Sequence, residues 1–156
     1  KNALWGILMG GGAGVEWYFG HQYPHMDINC EDWRSRDAMW DQTRYALEFF
    51  QEHLPFHEMA PDNGLASGTE AYVLAKPGEV YAVYLPDGGS ATLDLGEAAD
   101  SHEVWWYNPR TGGALLQGSV ATVSGPGKVA LGAPPQDVGK DWVALVTREI
   151  PRIRAR

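Results

Sequence analysis

From residue 69 to residue 147 the chain alternates short apolar runs with turn-forming clusters, and this rhythm restricts the fold more than any other feature. The runs 69–75, 79–85, 90–95, 103–108, 119–124, 128–131 and 141–147 each read as a strand. Between them stand Lys76-Pro77-Gly78, Pro86-Asp87-Gly88-Gly89, Asn108-Pro109-Arg110-Thr111-Gly112-Gly113 and Gly125-Pro126-Gly127, residues whose dihedral preferences favour turns. Strands of this length and spacing predict an antiparallel β-sandwich. The adjacent Trp105 and Trp106 must point to opposite faces of their strand, one toward a core. The other, taken as Trp105, is a candidate sugar-stacking or interdomain surface.

Residues 1–60 are of a different kind. Lys1, Arg34, Arg36 and Arg44 stand against nine acidic side chains, and four of the five histidines lie here. Residues 3–9 are apolar apart from Gly6 and read as a helix end, stopped by the glycines from Gly10. Residues 15–19 are apolar and aromatic except for Glu16 and predict a buried strand. A polar loop follows, with His21, Tyr23, Pro24, His25, Asp27 and Asn29. Over about 33–54 the residues Trp40, Thr43, Leu47, Phe50 and Leu54 recur at helical spacing. Asp32 or Ser35 can cap this helix, Arg44 and Glu48 form an i,i+4 pair, and Pro55 stops it. The order is a helix end, a glycine turn, a strand, a loop and a helix: one βα unit, which cannot cover both faces of its own strand.

The charge balance narrows the partners. Twelve Lys and Arg against twenty Asp and Glu leave a net charge of −8. That argues against nucleic acid, which is bound by neutralising phosphates, and against an anionic membrane surface. There is no apolar run long enough to insert in a membrane. Cys30 is the only cysteine, which excludes an internal disulfide and a cysteine zinc cluster. The chain starts abruptly on a structured segment, as a piece of a longer protein would.

Three groups of residues resemble one bacterial family. They are Leu4-Trp5-Gly6 with the stretch 11–20, then Asn29-Cys30-Glu31-Asp32-Trp33-Arg34, and in the sandwich Ala71–Ala75, Val80–Leu85 and Val104–Gly112. In that family a glycoside-hydrolase-like TIM barrel of the apiosidase-like type precedes a β-sandwich named the putative collagen-binding domain of a collagenase. The resemblance spans about 3–147 and implies an exported protein, extracellular or periplasmic, acting on a polysaccharide. It implies an α+β fragment: the terminal βα unit of a TIM barrel followed by an antiparallel β-sandwich. The expected divisions are a barrel remnant over 1–60, the sandwich over 65–149 and a loose basic tail over 150–156. Nothing in the sequence itself reads collagen, and most of the barrel is absent.

In a TIM barrel the groups that do chemistry sit at the C-terminal strand ends and in the loops that follow. Glu16 is therefore a catalytic candidate, or a group that orients substrate. Trp17, Tyr18, His21, Tyr23, Asp27 and Trp105 are candidate substrate contacts, because aromatic faces and polar edges suit sugars. Glycoside hydrolysis ordinarily takes two carboxylates, and the family's main pair falls outside this chain, so the fragment alone is expected to be inactive. The spacing of His21, His25 and Asp27 matches no metal motif. The glycines 10–14 precede a strand and lack a following Lys-Ser/Thr, so they are no phosphate loop. No cofactor is called for. The expected partners are a polysaccharide or matrix polymer and the protein's own missing barrel. The competing function is a non-catalytic module that binds collagen or polysaccharide, and a third is purely structural support of the barrel.

Overall fold

A computed structural model describes residues 1–17 and 33–148. Among the described residues nine short strands form two antiparallel sheets, and two α-helices lie on one of them. The strands are β1 (Ala60–Pro61), β2 (Ala66–Ser67), β3 (Tyr72–Lys76), β4 (Val80–Leu85), β5 (Thr92–Asp94), β6 (Ser101–Tyr107), β7 (Thr122–Ser124), β8 (Lys128–Ala130) and β9 (Trp142–Thr147). The larger sheet has the order β1-β3-β4-β9-β6-β7 and the smaller β2-β5-β8. The helices are α1 (Asn2–Met9) and α2 (Asp37–His53).

The larger sheet is covered on both faces, and strand alternation divides its side chains between two cores. Val73, Tyr81, Val83, Leu85, Val104, Trp106, Trp142, Ala144 and Val146 point toward the smaller sheet and meet its Leu93. Leu74, Val80, Ala82, Tyr84, Tyr107, Val143 and Leu145 point the other way, onto Leu4, Trp5 and Met9 of α1 and Ala46, Phe49 and Phe50 of α2. This is why β4 and β9 are apolar at nearly every position: a strand with one wet face alternates, and a strand buried twice does not. Trp5 anchors the helix layer, with its ring 5.6 Å from Phe49 and stacked 5.7 Å from Tyr84.

Each of the seven expected strand runs overlaps an observed strand, with β3 running on to Lys76 and β6 starting earlier, at Ser101. The turns between them need left-handed backbone where glycine stands. At Gly88, φ is +72° and a side chain would strike the carbonyl oxygens of Val138 and Lys140. At Gly112, φ is +64° and a side chain would strike the ring of Tyr45 on α2, so the 108–113 turn is pressed against the helix layer.

The N-terminal expectations fare unevenly. Helix α1 ends at Gly10, as expected. The 33–54 segment is helical, but it opens with a 3-10 turn over Trp33–Arg36, and the α-helix takes Arg36 as its N-cap residue, not Asp32 or Ser35. Arg44 pairs with Glu48 at 2.9 Å and with Asp41 at 3.1 Å. The buried face differs from the expected stripe. Trp40 and Leu47 are 39% and 49% exposed, while Ala46, Phe49, Phe50 and His53 are buried. At about 100° per residue, the helix is rolled by roughly a quarter turn from the predicted face. Residues 12–17 have no regular secondary structure, so the buried strand expected over 15–19 is not a strand in its described part. The described residues form an α+β fold dominated by antiparallel sheet and show no barrel unit.

Candidate functional site

A groove of about 500 Å3 opens where α1 crosses the ends of β3 and β4. It is built by sheet register and by the first turn of α1. Tyr72 on β3 and Tyr84 on β4 are direct cross-strand partners. Their rings stack, with centroids 6.3 Å apart and planes inclined by 29°. Asn2, Ala3, Gly6 and Ile7 of α1 form the opposite wall, and Glu70, Pro86 and Asp87 lie at the strand ends. Gly6 has open space where a side chain would stand, which keeps that wall low.

The polar atoms of the groove are ordered. The Tyr72 hydroxyl donates to Glu70 Oε1 at 2.8 Å. That bond, with the nearby Glu70 and Asp87 charges, raises the Tyr72 pKa above its usual value. The Tyr84 hydroxyl donates to Asn2 Oδ1 at 3.1 Å and lies 3.4 Å from Asp141 Oδ2. Burial, followed by the Asp141 and Asp87 charges, pushes the Tyr84 pKa well up. Both tyrosines are thus neutral at physiological pH and act as hydrogen-bond groups and apolar faces.

Beneath the groove Asp141 is buried and gathers cations. It pairs with Lys1 Nζ and with Arg110 Nη1, the latter at 3.2 Å. Arg110 also lies 5.1 Å over the ring of Trp142 and reaches Asp137 at 3.4 Å. Through Lys1 and Asn2, the start of α1 is therefore tied to β9 and β4 by polar contacts as well as apolar ones.

The expected site residues do not converge here. Glu16 is exposed on the irregular segment 12–17. Trp17 is half-buried against the helix-side core, and its indole N–H donates to Thr43 Oγ1 at 3.2 Å. Trp105 is also half-buried on the helix-facing side, with its indole N–H donating to Glu103 Oε2 at 2.9 Å. Trp106, on the opposite face, is fully buried. Tyr18, His21, Tyr23 and Asp27 lie outside the described residues, as do Cys30 and the expected tail over 150–156. Among the described residues no group of three His, Cys, Asp or Glu side chains could hold a metal ion. No described helix is long and apolar enough to cross a membrane.

Sequence reasoning missed Asn2, Glu70, Tyr72, Asp87 and Asp141. They are scattered along the chain, and only the pairing of β3 with β4 and the docking of α1 bring them together. The one available signal was that Tyr72 and Tyr84 sit at matched positions of two strands joined by the Lys76–Gly78 turn.

Solved structures share this arrangement. A glycoside hydrolase family 5 protein from Bacteroides vulgatus ATCC 8482 superposes with a TM-score of 0.54 at 20% identity, over 70% of this chain and 24% of that one. A protein described as a glycoside hydrolase superposes with a TM-score of 0.57 at 19% identity, over 91% of this chain and 31% of that one. At such identities the likeness is one of fold, and the chain spans about a quarter to a third of those proteins. No curated protein matches it. The family model described as "Putative collagen-binding domain of a collagenase" matches residues 60–147, more than half of the chain, and the chain belongs to that family.

Proposed function

We propose that this chain is the C-terminal accessory part of an exported glycoside-hydrolase-like protein that acts on polysaccharide. In it the β-sandwich supports the catalytic barrel and holds it near its polymer. The observation that carries this is the two-sided burial of the larger sheet. The residues before the matched family domain are not a loose leader. Trp5, Phe49 and Phe50 share one apolar core with Tyr84, Tyr107 and Leu145 of the sandwich. The same unit of helices and sheets recurs within a longer glycoside hydrolase, over 91% of this chain. In this proposal α1 and α2 close the end of a catalytic barrel, and the sandwich stabilises that end. The exposed Glu16 then faces the barrel, and the main catalytic carboxylates are supplied by earlier strands.

A second role, binding to a matrix polymer, is favoured by the family's description and by the Tyr72–Tyr84 groove. Two measurements on the purified 156-residue chain separate the possibilities. Glycosidase assays on neutral and acidic polysaccharides should show no turnover, and measurable turnover would remove the accessory reading. Pull-down on insoluble polysaccharides and on fibrillar collagen should retain the chain on polysaccharide. Retention on collagen alone would replace polysaccharide with collagen as the polymer, and retention on neither would leave only the supporting role.

A further inference from the structure

We infer that the groove between α1 and the β3–β4 strand ends is a binding site for a neutral saccharide chain. The proposal rests on the accessory-module reading above for its polymer class; its location and chemistry come from the groove. Three features carry it. The first is size and shape: about 500 Å3 of open concave space lies within the range of roughly 300–1,000 Å3 usual for small-molecule sites.

The second is the lining. Tyr72 offers a partly buried ring whose orientation is held twice, by stacking on Tyr84 and by the hydroxyl bond to Glu70. A ring so held is a flat apolar face with little rotamer entropy left to lose. It suits the C–H face of a pyranose. Asn2, Glu70 and Asp87 border it with amide and carboxylate groups, which hydrogen-bond hydroxyls.

The third is charge. Among the described residues, two carboxylates and no cationic side chain line the groove. Lys1, next in sequence to Asn2, is engaged by Asp141. A carboxylated or sulfated polymer would therefore be repelled, whereas a neutral one accepts the carboxylates as hydrogen-bond acceptors.

The test uses the whole chain. Neutral β-glucan and xylan oligosaccharides, polygalacturonate and a triple-helical Gly-Pro-Pro peptide are titrated separately by calorimetry. Amide shifts are followed by NMR at residues 2–7, 70–72 and 84–87. A neutral oligosaccharide is expected to bind and to shift these amides. Tyr72→Ala should weaken binding by roughly tenfold, in line with the loss of one aromatic contact. Tyr72→Phe keeps the ring and should stay within about threefold. Asp87→Ala, at an exposed turn, should weaken binding by about two- to tenfold, as for one hydrogen bond.

Binding that survives Tyr72→Ala unchanged, with the fold intact by amide dispersion, would overturn the assignment. So would amide shifts at the groove caused by polygalacturonate or the collagen-like peptide in place of the neutral sugars. Retention on polysaccharide without shifts at the groove would overturn this site and leave the accessory role standing. Retention on no polysaccharide would remove both the site and polymer binding.

Discussion

The two faces of the six-stranded sheet are both dry, but they are built differently. On one face Trp106, Trp142 and Leu93 are enclosed between two hydrogen-bonded sheets. On the other, Trp5, Phe49 and Phe50 come from helices that reach the sheet across long separations in the chain. The sandwich side is bounded by hydrogen-bonded ladders, which yield little when a side chain is removed. The helix side is bounded by elements that can slide. It is held additionally by Lys1 to Asp141, by Asn2 to Tyr84 and by the 2.8 Å bond from the Tyr107 hydroxyl to the Tyr45 carbonyl. Side chains of like size should therefore count for more on the sandwich side, and the helix layer should be the part that loosens first.

The largest expected effect is Trp106→Ala. It should cost about 3–5 kcal/mol, the range for truncating a buried aromatic whose surroundings cannot collapse. In chemical denaturation both layers should be lost together. A loss near 1 kcal/mol would show that the sandwich core is not the rigid one.

Trp5→Ala comes next, at about 2–3 kcal/mol, because α1 can settle into part of the space. Hydrogen exchange is the sharper measurement. Amides of α1 and α2 should exchange faster, while those of β4 and β9 keep most of their protection. Equal acceleration in both layers would mean that the two cores form a single cooperative unit.

The smallest effect is a pH dependence that belongs to the helix side. His53 is buried against Phe49 and Tyr107, and its Nδ1 has no partner among the described residues. Burial lowers its pKa below 6.5, opposed by the Glu52 charge. The unfolded chain then binds more protons near that pH than the folded one. His53 thus contributes stability that is present above about pH 6.5 and is lost as the pH falls below it. Denaturation midpoints measured between about pH 5 and 7 should decline toward acid for the wild type, and His53→Phe should flatten the slope. An unchanged slope in that variant would place the dependence elsewhere.

Much of the sandwich was legible because its signals are local. Proline, glycine and aspartate in Pro86–Gly89 or Asn108–Gly113 impose turns whatever lies around them, and β-branched and aromatic runs between such turns have little choice but to pair. The helix over 37–53 was legible for the same reason, from its spacing and from Pro55. Its buried face was not. Trp40, Leu47 and Phe50 make as good an apolar stripe as Ala46, Phe50 and His53, and periodicity cannot say which one the sheet will cover. The strand expected at 15–19 failed in its described part by the same logic. Val15 and Trp17 are apolar enough for a strand, but Trp17 packs on the helix-side core and bonds to α2.

The candidate site divides in the same way. Trp105 and Trp106 had to face opposite sides, because consecutive strand residues always do. Which face would be sealed and which half-covered depended on what the rest of the chain laid over the sheet. Short-range stereochemistry settled the strands, the turns and the existence of both helices, since each is decided by neighbours a few residues away. The doubly covered sheet, the roll of α2 and the groove of Asn2, Glu70, Tyr72 and Asp87 were decided by packing. They depend on contacts between residues as far apart as Lys1 and Asp141, and no local preference encodes these.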